Sequence, residues 1–172
     1  MALSADDWTK ISNLLARYCQ TNDFGDAEGW SRVFTEDGLF EESFSDKGVV
    51  TRLRGRKAIK EFALQIPGMI PHVKYARHWI TNAIIEGDGD RATSVCFVKF
   101  INTIDGGSAI VTGIYKDEIR KVNGEWLFAH RQAILDQTEE EASAAMKRLA
   151  LKAKETGREY RLDVGAFAAG DR

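Results

Sequence analysis

A histidine and an aspartate carry the chemistry most worth following in this chain. His78 stands in Arg77-His78-Trp79-Ile80-Thr81-Asn82, a segment with the texture of a strand, and Asp23 follows the first helical pattern, just before Phe24-Gly25-Asp26. Neutral imidazole has an unperturbed pKa of about 6.5, so it accepts a proton near neutrality. A carboxylate bonded to its other ring nitrogen fixes the tautomer and stabilises the cation that forms. General-base catalysis of this kind contributes about 10²–10⁴ in rate. A hydroxyl donor such as Tyr18, or the cation of Arg131, is the type of group that stabilises the oxygen of an enolate or a departing group, and no metal is required. Each residue also has a plainer reading. His78 can be a satisfied strand histidine, Asp23 a helix cap in competition with Asp26, Tyr18 core filler, and Arg131 the partner of a surface carboxylate. His130 neighbours Arg131 on a strand and is expected on the opposite face, and His72 belongs to the loop around Pro71.

The elements that must position these groups can be read from periodicity. Ser4 ahead of Ala5-Asp6-Asp7 starts a helix, and Ile11, Leu14, Leu15, Tyr18 and Cys19 give it one apolar stripe, predicting a helix from Ala5 to Gln20. A short helix from Ala27 to Phe34 presents Trp30, Val33 and Phe34, and Asp37-Gly38 turns the chain into a strand from Leu39 to Phe44. A strand from Gly48 to Leu53 and a helix from Arg56 to Gln65 follow, with Pro67 and Pro71 ending the helix and Met69-Ile70-Pro71-His72 forming a loop. From Tyr75 onward, strands rich in Val, Ile, Thr and Phe are separated by hairpin signals at Gly87-Asp88-Gly89-Asp90, Asp105-Gly106-Gly107 and Asn123-Gly124. A final helix is expected from Thr138 to about Glu155, with a loose end from Gly157. Helices first and a hairpin-linked sheet afterwards predict an α+β domain with helices on one face of a curved sheet.

Composition narrows the function class. A chain of 172 residues suits one domain, and 44% hydrophobic with 29% charged residues is that of an ordinary globular protein. No apolar run approaches the ~20 residues of a membrane helix, and the N-terminus lacks the pattern of a secretory signal, so a cytoplasmic protein is expected. A net charge of -2 makes nucleic acid a poor partner. Cys19 and Cys96 are far apart in sequence and read as small core residues rather than a disulfide or thiolate metal site. Phosphate-loop, dinucleotide and zinc-protease motifs are absent, and Gly87-Asp88-Gly89-Asp90 lacks calcium-loop spacing.

Four segments together, Tyr18 to Asp23, Trp30 to Gly38, Arg77 to Asn82 and Gly124 to Arg131, resemble the SnoaL-like branch of the nuclear transport factor 2-like superfold over about Asp6 to Asp136. By texture, scytalone dehydratase and hexachlorocyclohexane dehydrochlorinase are the characterised relatives it is most similar to. The resemblance implies a cone-shaped α+β barrel, its curved mixed or antiparallel sheet packed against N-terminal helices around a pocket. That domain would span residues 1–137, with a C-terminal helix and tail over 138–172. In the two relatives, a strand histidine paired with an aspartate after the first helix removes a proton so that water or chloride leaves, and His78 and Asp23 match those positions. Arg131 matches the basic residue that assists the dehydrochlorinase's leaving group. Tyr18 falls where that enzyme has a lysine, a departure that points to an oxygenated substrate. The implied activity is a cofactor-independent, dehydratase-like lyase acting on a small cyclic or polyketide-like molecule. The alternatives are an isomerase or cyclase using the same dyad, or a non-catalytic ligand-binding or assembly module such as the small subunit of a ring-hydroxylating dioxygenase. The same likeness implies a homo-oligomer, with a trimer favoured over a dimer.

Overall fold

The computed structural model describes residues 2–69, 76–104 and 106–156. Ile70-Pro71-His72 of the expected loop, Asp105 and the expected tail from Gly157 lie outside the described residues. Ser4 caps α1 (Ala5–Asp23) in a reciprocal capping box with Asp7, and Ile11, Leu14, Leu15, Tyr18 and Cys19 form its buried stripe. Asp7 also accepts from Lys121 Nζ at 2.8 Å and Trp126 Nε1 at 2.9 Å, which fixes the start of the helix against the sheet. The helix runs three residues past Gln20. It ends where Gly25 takes φ +73 and its N–H returns to the Asn22 carbonyl, a conformation a side chain would disfavour. Asp23 is therefore the last helical residue rather than part of a free loop.

Asp26 caps α2 (Ala27–Arg32), its carboxylate accepting from the Gly29 N–H at 2.8 Å. This helix is shorter than its apolar residues suggest, because Phe34 already belongs to β1 (Phe34–Ser43), paired with Phe128 of β6 (Glu125–Leu135). The expected turn at Asp37-Gly38 is an irregularity inside β1, where the register with β6 shifts between Phe34 and Leu39. Gly38 allows this close approach: a Cβ there would lie 2.9 Å from Phe34 Cβ and 3.1 Å from the Phe128 carbonyl oxygen. After β2 (Val49–Arg54), α3 (Gly55–Met69) continues beyond Gln65 and through Pro67. A proline within the last turn removes a single backbone donor from the ladder, so the helix survives two residues more.

β3 (Ala76–Asp88), β4 (Arg91–Asn102), β5 (Ser108–Val122) and β6 form the expected antiparallel meander. Asn123 and Gly124, at φ 52 and 86, make the tight turn between β5 and β6 whose twist suits a hairpin. The complete sheet has six strands in the order β2-β1-β6-β5-β4-β3, with β1 parallel to β6, so the architecture is a mixed sheet that does not close on itself. α1 to α3 cover its concave face around a core in which Tyr18, Trp30, Phe34, Phe40 and Phe128 meet ring on ring, with centroids 5.5–6.4 Å apart. Aromatic pairs at such separations add about 0.5–1.5 kcal/mol each beyond the area they bury. α4 (Glu139–Thr156) sets Leu149 and Ala153 into a second cluster with Ala76, Phe100 and Ile110. No helix among the described residues is long and apolar enough to cross a membrane.

Candidate active site

His78 and Asp23, 55 positions apart in sequence, meet through two hydrogen bonds. Asp23 Oδ1 lies 2.6 Å from His78 Nδ1, and Asp23 Oδ2 accepts the His78 backbone N–H at 2.9 Å. The helix end delivers the carboxylate, 6% exposed, to the start of β3. Two acceptors on one rigid group, facing two donors of one residue, fix both the strand and the ring. Phe100 of the neighbouring strand stacks on the imidazole at 4.3 Å between centroids, and Phe100 is itself packed by Leu149 of α4. The histidine side chain is 15% exposed, and Nε2 has no hydrogen-bond partner among the described residues. Asp26 takes the capping task at α2, so Asp23 is committed to His78. The arrangement can orient an imidazole and offset the positive charge it acquires on taking up a proton.

Tyr18 and Arg131 come together in the core. The Arg131 guanidinium lies over the faces of Tyr18, Tyr115 and Phe128 at 4.1, 4.4 and 3.9 Å. It forms a two-pronged ion pair with Asp117, Nε to Oδ1 at 2.7 Å and Nη2 to Oδ2 at 2.8 Å, and Ser94 also donates to Asp117. Arg131 is 0% exposed, so it is a paired core cation and not an open one. Burial works against its charge, but the Asp117 carboxylate more than offsets this and its pKa is raised. Burial likewise raises the Tyr18 phenol, with Arg131 pulling the other way. The Tyr18 hydroxyl makes no hydrogen bond to the described residues. His130 faces the outer side of the sheet, where its Nε2 lies 2.8 Å from Glu41. Both thiols are free and buried, and burial pushes Cys19 up to about 12 and Cys96 up to about 11, which disfavours the thiolate.

One residue that sequence reasoning missed belongs to this face. Glu42 follows Phe40 by two on β1, and strand alternation puts both side chains toward the helices. It is partly buried, has no hydrogen-bond partner among the described residues, and its pKa is raised, first by burial. The signal was the Glu41-Glu42 pair, because alternation must turn one of two adjacent strand carboxylates inward.

Comparison with known proteins gives the same fold. Among solved structures, a protein of unknown function with a cystatin-like fold from Nostoc punctiforme is 27% identical, with 79% of this chain and 96% of that chain covered and a TM-score of 0.70. A function-unknown protein from Mycobacterium tuberculosis, solved as an aspartate-to-asparagine variant, is 30% identical over 90% of this chain and 92% of its own, with a TM-score of 0.64. A proposed beta subunit of an aromatic-ring-hydroxylating dioxygenase from Novosphingobium aromaticivorans shares the fold at 20% identity, with 76% and 90% covered and a TM-score of 0.65. No curated protein matches. The SnoaL-like domain model matches residues 4–132, which takes in α1 with Asp23, β3 with His78 and β6 with Arg131, and the chain belongs to the SnoaL-like family.

Proposed function

We propose that this protein is a cofactor-independent lyase of the dehydratase type, in which His78 takes a proton from carbon and Asp23 orients it and balances its charge. The observation that supports this most directly is that Asp23 occupies both His78 donors on one side of the residue, which leaves Nε2 open. With Nδ1–H assigned as the donor to Asp23, Nε2 carries the lone pair. Abstraction next to a carbonyl builds negative charge on oxygen, and Tyr18, whose hydroxyl makes no hydrogen bond to the described residues, is the donor assigned to it. Burial raises the Tyr18 phenol, so it keeps its proton as a donor, and Arg131, 4.1 Å from the ring, pulls the other way. The substrate class is a small cyclic or polyketide-like ketone bearing a hydroxyl that leaves as water. An isomerase or cyclase would use the same abstraction without a leaving group, and product analysis separates them.

The test compares the protein with its His78→Ala variant on 3-hydroxy-1-tetralone, whose loss of water gives fluorescent 1-naphthol. The expected outcome is a rate reduced by about 10²–10⁴ with an unchanged circular dichroism spectrum. An unchanged rate rejects the reading. The likeness to a proposed dioxygenase beta subunit favours a second one, a non-catalytic assembly module. Trp79, Ile84, Val95 and Phe97, 60, 64, 41 and 50% exposed, form an apolar patch on the outer face of β3 and β4 that suits self-association under both readings. Under the second alone, the protein turns over no ketone and sediments with a larger catalytic subunit.

A further inference from the structure

Glu42 is an inner-face carboxyl with no hydrogen-bond partner among the described residues. Along β1, Phe40 packs edge to face on Trp30 at 5.6 Å, and Glu41 on the outer face is taken up by Arg52 at 2.6 Å, His130 and Gln132. Glu42 then returns to the inner face opposite Ala133 of β6, two residues beyond Arg131. β1 and β3 are four strand-to-strand steps apart, about 19 Å on a flat sheet. The start of α4 lies beside the end of β1, where Lys47 pairs with Glu139 and Asp46 accepts the Glu139 N–H, and ten residues on, about 15 Å along the helix, Leu149 packs with Phe100, the ring stacked on His78, so the ends of β1 and β3 are drawn under one helix. The charged groups acting on Glu42 are His78 from β3 and Glu139 from the start of α4. Lys47, the nearby cation, is paired with Glu139 instead.

We infer that Glu42 is the general acid of this site, passing its proton to the departing hydroxyl while His78 takes one from carbon. Glu42 works in this way only if His78 is the base, so the assignment rests on the function proposed above. In a β-hydroxy ketone, the C–H electron pair becomes the new C=C bond and the C–O bond breaks with its pair on oxygen. The Glu42 proton completes the water molecule that leaves. His78 ends as imidazolium and Glu42 as carboxylate, and one proton passed from the first to the second through solvent restores both. The two transfers reinforce each other, because the positive charge arriving on His78 favours ionisation of Glu42. Burial, acting before it, keeps the acid protonated to higher pH than an ordinary glutamate.

Two ketones separate the roles. Hydrogen–deuterium exchange next to the carbonyl of 1-tetralone needs only the base, whereas dehydration of 3-hydroxy-1-tetralone needs base and acid. His78→Ala is expected to lose both reactions. Glu42→Gln is expected to keep the exchange and to lose dehydration by about 10²–10⁴. Full dehydration by Glu42→Gln overturns the assignment. Exchange undiminished in His78→Ala overturns the dyad instead. A readout that needs no substrate is the carboxyl carbon-13 signal of Glu42, identified by its loss in Glu42→Gln and, should that variant not fold, by its shift in Glu42→Asp. A titration midpoint above the ordinary value of about 4.3 is expected, and a midpoint at or below it overturns the role of Glu42 whatever His78 does.

Discussion

Replacing Asp23 by asparagine tests the dyad without knowledge of the substrate. The carboxylate presents two acceptors to two donors of His78, the backbone N–H at 2.9 Å and the ring Nδ1–H at 2.6 Å. An amide of the same shape has one acceptor oxygen, and its other terminus is a donor. If the oxygen keeps the backbone N–H, the NH₂ faces Nδ1, and the ring can satisfy it only by moving its proton to Nε2. That tautomer has no lone pair where a substrate would be. Exchanging two charge-assisted hydrogen bonds for neutral ones about half as strong costs about 1–3 kcal/mol of stability. Losing the base costs about 10²–10⁴ in rate, or about 2.7–5.4 kcal/mol of barrier. Long-range proton–nitrogen NMR of ring-labelled histidine distinguishes protonated from lone-pair nitrogens directly. Wild type is expected to show the lone pair on Nε2, and Asp23→Asn to show it on Nδ1 with a lower urea midpoint. A wild-type proton on Nε2, or a variant with the same tautomer and the same midpoint, would refute the reasoning.

Removing Asp117 by Asp117→Ala leaves the Arg131 cation, 0% exposed, without its counter-charge. The expected loss is about 3–5 kcal/mol in chemical denaturation, and a loss under about 1 kcal/mol would show that the guanidinium has another way to be neutralised. Glu42 makes stability depend on pH with a definite sign. Its folded pKa is raised, so the folded state holds the proton through a window in which the unfolded chain has released it. Stability should fall as pH rises from about 4.3 through the folded value, and urea midpoints of Glu42→Gln should lack that component. Parallel profiles for the two proteins would contradict it.

Local signals placed most of the scaffold in the sequence. Ser4 with Asp7 marks where α1 starts, and Asn123-Gly124 gives the hairpin its twist without help from the rest of the chain. The pairing of His78 with Asp23 was legible by resemblance, and its geometry follows from where α1 stops. That stop depends on Gly25, a position at which the periodicity of Ile11, Leu14 and Tyr18 is already exhausted, so the apolar stripe alone ended the helix too early. The start of β1 was hidden for the opposite reason. Phe34 continues a helical pattern with Trp30, and only its pairing with Phe128, 94 positions later, makes it a strand residue. Arg131 illustrates the same limit, because its partner Asp117 lies directly across from it in the β5–β6 register, and nothing local to Arg131 reveals whether that strand face is open or sealed.

What separates architecture from chemistry in this core is hydrogen-bond capacity. Asp117 accepts two bonds from Arg131 and one from Ser94, so its charge is fully used within the fold. Arg131 Nη1 and Trp30 Nε1 lack partners, but both are sealed inside the aromatic cluster, beyond the reach of a ligand. His78 Nε2, the Tyr18 hydroxyl and the Glu42 carboxyl are different. None has a hydrogen-bond partner among the described residues. Asp23 meanwhile uses both its oxygens on orienting His78, and under the proposed function a hydroxylated ketone brings the acceptor and the leaving group with which these open positions can bond.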